Sequence, residues 1–151
     1  MKIELDSTDI GIINILQQNS KTPYAEIGKE LHASAGTIHA RIKKMERLGI
    51  IKKMDVQINY ALLGYDITCF IGIYLNKSSS YDQALKGLIN IREITDLHYT
   101  TGQYSMFAKL ICKDTNHLRE ILHDKIQKIE GVQRTETLLS LNQSISRKLT
   151  L

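Results

Sequence analysis

The spacing of apolar positions changes along the chain, and the changes divide it. Ile10, Ile12, Ile13 and Leu16 recur at helical period behind Asp6, which predicts a first helix opened by that aspartate. Asp6 and Asp9 suit the positive end of its dipole, and Gln17–Ser20 closes it. Thr22-Pro23 predicts the start of a second helix, the threonine hydroxyl as cap and the proline where a missing N–H costs nothing. Its inward face is Tyr24, Ile27 and Leu31. A short link, His32-Ala33, leads to Ser34 as the cap of a third helix over Ala35–Leu48, with Gly49 as a left-handed stop. Ile38, Ile42 and Met45 at i, i+4, i+7 turn inward. The run Ile50–Asn59 then alternates and is rich in β-branched residues, as a strand beside the helices would be. Three helices with a tight second connection form a helix-turn-helix pattern over residues 1–60, and residues 61–66 read as a linker.

From Ile67 the pattern alternates strand and helix. Strands are expected at Ile67–Asn76, Ile94–Thr101, Tyr104–Cys112 and Val132–Gln143, with a tight Gly102-Gln103 turn between the second and third. Helices are expected at Tyr81–Ile91 and from Asp114, as cap, to Gly131. The fold class is therefore α+β: a winged helix-turn-helix of three helices plus a strand, then a ferredoxin-like βαββαβ domain over residues 67–151.

Two helices cover one face of such a sheet, yet its first strand is apolar on both. Ile67, Cys69, Ile71, Ile73 and Leu75 line one face, Phe70 and Tyr74 the other. The third strand sets Tyr104, Met106, Ala108 and Leu110 against Phe107 and Ile111. A half-exposed antiparallel sheet should show a polar face, so a second copy is expected to cover this one, giving a homodimer.

Charge then separates the two halves. From Arg41 to Lys53 stand six bases (Arg41, Lys43, Lys44, Arg47, Lys52, Lys53) and one acid, Glu46; the rest of the chain holds 14 bases against 15 acids. A local excess of this kind attracts phosphates, although a solvated helix face has the same composition. Opposite the apolar stripe of the third helix, Gly36, Thr37, His39 and Ala40 are small or hydrogen-bonding, while Lys43, Lys44 and Arg47 follow. This gradient suits a recognition helix whose N-terminal end, capped by Ser34, reaches base edges while its C-terminal end meets phosphates. Gly36 costs about 1 kcal/mol against alanine in an exposed helix; either a close approach to the groove or a frayed first turn accounts for it. His39 is a contact residue or a plain surface histidine. Lys52 and Lys53 add a basic edge. The partner expected is double-stranded DNA, with a pseudo-palindromic operator matching a two-fold dimer.

No paired catalytic carboxylates, Gly-rich phosphate loop, nucleophile elbow or zinc spacing occurs, and the five histidines are scattered. No catalytic residue, metal site or cofactor is expected, and an enzyme or metabolic regulatory subunit would leave the basic helix without a purpose. A sequence-indifferent DNA-organising protein predicts the same helix but no ligand-tuned behaviour. No apolar stretch is long enough to span a bilayer, no secretory leader opens the chain, and Cys69 and Cys112 sit in apolar surroundings as buried thiols do. A cytoplasmic, nucleoid-associated location is expected.

The runs Tyr24-Ala25-Glu26-Ile27, Ser34 through Glu46, Leu48-Gly49-Ile50-Ile51 and Leu63-Gly64-Tyr65-Asp66 resemble the Lrp/AsnC (feast/famine) family of transcription regulators. The resemblance covers essentially the whole chain; Ser34-Ala35 stands where the family usually has Ser-Pro. It implies that the C-terminal half binds an amino-acid effector and that dimers gather into octamers. Thr-Thr-Gly-x-Tyr-Ser at 100–105, with Cys69-Phe70-Ile71-Gly72-Ile73, resembles the asparagine-responsive members, and the effector implied is L-asparagine. On the residues alone, Thr100, Thr101, Gly102, Gln103, Tyr104 and Ser105 are either an ordinary hairpin turn or a set of N–H and hydroxyl donors suited to a carboxylate and an amide. Thr135, Glu136 and Thr137 are the expected second half of the site. Glu136 would there meet an α-ammonium or form a rim ion pair.

Overall fold

The computed structural model describes residues 3–151. The chain divides into two compact units: residues up to Gln57 together with Ile145–Leu151, and Ile58–Ser144.

In the first unit, α1 (Ser7–Gln18), α2 (Tyr24–Glu30) and α3 (Ala35–Arg47) pack Ile12, Ile13, Leu16, Ile27, Ile38, Ile42 and Met45 into one core. Asp6 caps α1 through a reciprocal box with Asp9, and Ser34 caps α3. Gly49 ends the third helix in the left-handed region (φ 72°). Thr22 does not cap α2; its hydroxyl donates back to the Asn19 carbonyl (2.8 Å), and Pro23 itself is the N-cap. The tight turn between α2 and α3 depends on Gly28. The Ala33 N–H donates to the Gly28 carbonyl at 2.8 Å, and a Cβ on Gly28 would strike the Ala33 carbonyl.

The expected strand at Ile50–Asn59 is absent. The segment carries no ladder with any strand of the chain, and Met54, Val56 and Ile58 are exposed along it. Period-two alternation specifies a strand only when a neighbouring strand accepts its hydrogen bonds. The Ile50 and Ile51 N–H groups turn back to the Met45 carbonyl instead, and among the described residues no strand pairs with the segment.

The second unit opens with a 3₁₀ turn at Ala61–Leu63, then follows the expected order: β1 (Ile67–Leu75), α4 (Tyr81–Leu88), β2 (Ile94–Tyr99), β3 (Met106–Cys112), α5 (Thr115–Glu120) and β4 (Val132–Leu139). All three pairings are antiparallel, in the order β2-β3-β1-β4. The last helix extends beyond α5 as a π turn at Ile121–Lys125 and a 3₁₀ turn at Ile126–Lys128. Cys69, Ile71, Ile73, Met106, Ala108 and Leu110 are buried against Leu88, Ile121 and Ile126. Cys69 and Cys112 are both buried and free.

Tyr104 departs from the expected face. It precedes β3 rather than continuing its alternation, and it packs on the other side of the sheet with Tyr74 and Phe107. Its ring covers Gly72, where any Cβ would strike it. Phe70 and Phe107 stack nearly parallel on this same face, at 6.0 Å between ring centres. Among the described residues, no helix is long and apolar enough to cross a membrane.

Candidate nucleic-acid interface and effector site

Ser34 and Thr37 fasten the entrance of α3. The Thr37 N–H donates to Ser34 Oγ at 3.1 Å, and the two hydroxyls lie 2.8 Å apart. Gly36, Thr37, His39 and Ala40 are exposed, and a Cβ on Gly36 would meet nothing closer than Ser34 Oγ at 3.8 Å. The His39 ring rests 5.6 Å from that of Tyr24, which orients it. Lys43, Lys44 and Arg47 are exposed on the later turns. Lys43 is paired with Glu46 and Lys53 with Asp55, each at 2.8 Å, and these bonds raise both ammonium pKa values. Among the described residues Lys44, Arg47 and Lys52 form no ion pair, so they are the cations most available to phosphates.

Arg41 is withdrawn from that set. Its guanidinium donates to Asp6 (2.7 Å) and Asp9 (2.8 Å). Its own pKa rises, chiefly through Asp9 and then Asp6, while the Asp9 N–H and then Arg41 hold the Asp6 carboxyl below its usual value. The pair of acids at i, i+3 opening α1 is the one sequence signal for this clamp.

In the second unit, the connection from β2 to β3 is the six-residue loop Thr100–Ser105. The Thr100 N–H donates to the Ser105 carbonyl (3.1 Å), the Thr100 hydroxyl to the Tyr104 carbonyl (2.8 Å), and the Ser105 N–H to the Ile73 carbonyl (3.0 Å). Gly102 is left-handed (φ 97°) at its tip. Gln103 Nε2 donates to the Tyr74 hydroxyl (2.8 Å), which in turn donates to Glu136 (3.3 Å). The Arg134 guanidinium lies 3.5 Å from the centre of the Tyr74 ring. Partial burial, and after it the Glu136 charge, raises the Tyr104 pKa.

Two families account for the two units. The "Winged helix-turn-helix DNA-binding" family model matches residues 5–52, and "Lrp/AsnC ligand binding domain" matches residues 68–150. The chain belongs to the Lrp/AsnC family. It is 42% identical over 145 residues to the regulatory protein AsnC of Escherichia coli (strain K12), covering 96% of this chain and 95% of that one. It is 39% identical over 137 residues to the HTH-type transcriptional regulator FL11 of Pyrococcus furiosus, covering 91% and 89%. The solved structure of E. coli AsnC superposes with a TM-score of 0.94 at 40% identity, over 99% of this chain and all of that one. The NMB0573/L-Met complex from Neisseria meningitidis shares the fold (TM-score 0.90, 20% identity, covering 98% and 96%). The protein is a DNA-binding transcription regulator with an amino-acid ligand domain.

The structure brings some of the expected effector-site residues together and separates others. Gln103, Tyr104 and Glu136 meet on the open face of the sheet, whereas Thr135 and Thr137, in register with Ile73 and Ile71, belong to the helix-covered face. Tyr74, expected only as part of the apolar open face, and Arg134 join the cluster. The β1–β4 register pairs them directly, and the one sign in the sequence was a hydroxyl-bearing aromatic on a face otherwise filled by Phe70.

Proposed function

We propose that the effector is L-asparagine, bound at the Gly102 turn with Glu136 across the open face. The observation that carries this is the chain Gln103–Tyr74–Glu136, a row of polar side chains beside a turn. Among the described residues the N–H groups of Thr101, Gly102 and Gln103 make no backbone hydrogen bond, so they suit an α-carboxylate. Glu136 suits the ammonium, and Ser105 with Gln103 the side-chain amide. The likeness of residues 99–105 to asparagine-responsive family members supports the choice of amino acid. Thr100, Thr101 and Tyr104 shape the turn; Thr135 and Thr137, on the other face, reach a ligand only at the sheet's edge.

On DNA, Gly36, Thr37, His39 and Ala40 of α3 read base edges behind the Ser34 cap, and Lys43, Lys44, Arg47, Lys52 and Lys53 meet phosphates. The stacked Phe70 and Phe107, with Leu138 exposed beside them, support a homodimer closing over the open face and a two-fold, pseudo-palindromic operator. The unpaired alternation of Met54, Val56 and Ile58 offers a second copy another edge. Dimers gather to an octamer, and the effector acts by shifting these assemblies. A regulator of this kind works in the cytoplasm, on the nucleoid.

Calorimetric titration with L-asparagine, L-aspartate, L-glutamine and L-leucine tests the effector. Asparagine should bind most tightly, and Glu136→Gln should weaken it. No heat with asparagine, or equal binding of leucine, would mean that the turn is only a turn.

A further inference from the structure

The last seven residues fold with the DNA-binding unit. Asn14 of α1 pins them: its Nδ2 donates to the Leu151 carbonyl (3.2 Å), and the Leu151 N–H donates to its Oδ1 (3.3 Å). One side-chain amide thus satisfies both polar groups of a single tail residue, as a neighbouring strand would.

Lys148 and Leu151 close a cleft of about 290 Å³ whose floor includes Leu16, Ile50 and Ile51 and whose rim includes Lys52 and Lys53. Asp55, the carboxylate on that cleft, is engaged by Lys53. The tail from Ile145 carries Arg147 and Lys148 and no acidic side chain. Among the described residues neither Lys52 nor Lys148 forms an ion pair. Cations gathered about one cleft repel each other, and a polyanion laid across them removes the repulsion.

We propose that the C-terminal tail is part of the DNA-binding surface, with Lys148 and the adjacent Arg147 continuing the basic edge of Lys52 and Lys53 onto the phosphate backbone. This rests on reading Lys52 and Lys53 as phosphate contacts. The contribution is independent of base sequence, because phosphates are the same at every step.

The test is fluorescence anisotropy of the full chain with a random-sequence duplex across a salt series. Lys148→Ala and the double variant Arg147→Ala/Lys148→Ala are compared with Lys44→Ala and Lys52→Ala, and heat unfolding and light scattering verify fold and assembly. Each lost phosphate contact should lower the slope of log affinity against log salt by about one unit, so the double variant should fall by one to two. Charge-retaining Lys148→Arg should keep the parental slope. If Lys44→Ala and Lys52→Ala lower the slope while both tail variants leave it unchanged, the tail proposal alone fails. If none of the four changes it, the phosphate reading of the whole edge fails with it. If a tail variant weakens DNA binding only by altering assembly, with its slope intact, the tail is a structural strap and the proposal is overturned.

Discussion

Arg41 reaches from α3 to the buried Asp9 of α1 at 2.8 Å, joining the third helix to the first turn of the unit. Asp9 is 5% exposed, so its carboxylate depends on the hydrogen bonds it receives. Arg41→Ala should lower stability by about 2 kcal/mol, because it strands that group. In urea unfolding the midpoint should fall. The salt slope of DNA binding should stay unchanged, since this arginine is engaged by acids rather than by phosphates. A reduced slope at full stability would reverse the assignment.

Lys44 is the opposite case. Lys44→Ala should leave stability within about 0.5 kcal/mol and reduce the salt slope by about one unit for specific and random DNA alike. Gly36→Ser or Ala40→Val should instead change sequence preference in a selection from randomised duplexes, with little effect on the slope.

Gly28 and His32 make opposed predictions about the turn before α3. Gly28→Ala drives a methyl into the Ala33 carbonyl, which is backbone and yields poorly; a loss of about 2–3 kcal/mol is expected, with weakened DNA binding. His32 holds a left-handed backbone (φ 53°), and His32→Gly should recover about 1 kcal/mol of that strain. Heat unfolding should move the two midpoints in opposite directions.

Glu93 is buried in the second unit and accepts from Lys125 (3.0 and 3.1 Å) and His117 Nε2 (3.3 Å). Burial pushes its carboxyl upward, but the Lys125 ammonium and the hydrogen bonds outweigh that and hold it below the ordinary value of 4.5. A folded value below the unfolded one adds stability that is present above pH 4.5 and lost as pH falls through the depressed value. Lys125→Met should cost about 3 kcal/mol near neutral pH and, by letting burial shift the carboxyl back up toward or past 4.5, should shrink that acid loss of stability. Urea titrations across an acid series would reveal the shift.

Phe70 and Phe107 carry the assembly prediction. A charge at either, as in Phe70→Glu, should dissociate or unfold the protein in light scattering. A well-folded monomer of the unaltered chain at micromolar concentration would sink the face-to-face dimer.

The three helices, their Asp6 and Ser34 caps, the Gly49 stop and the βαββαβ order were legible in the chain because each is written in neighbouring residues. Caps act over three positions, and the helical and strand periods repeat within a turn or a pleat. The basic excess after Arg41 and the family resemblance were equally local. What needed the tertiary structure are contacts between distant positions. Tyr74 meets Gln103 across 29 residues and Glu136 across 62, and Arg41 finds Asp9 across 32. The face taken by Tyr104 turned on where β3 begins, one position reversing the side to which a side chain points. The alternation at Ile50–Asn59 became no strand, since a strand is a relation between two backbones and a single segment holds only half of it.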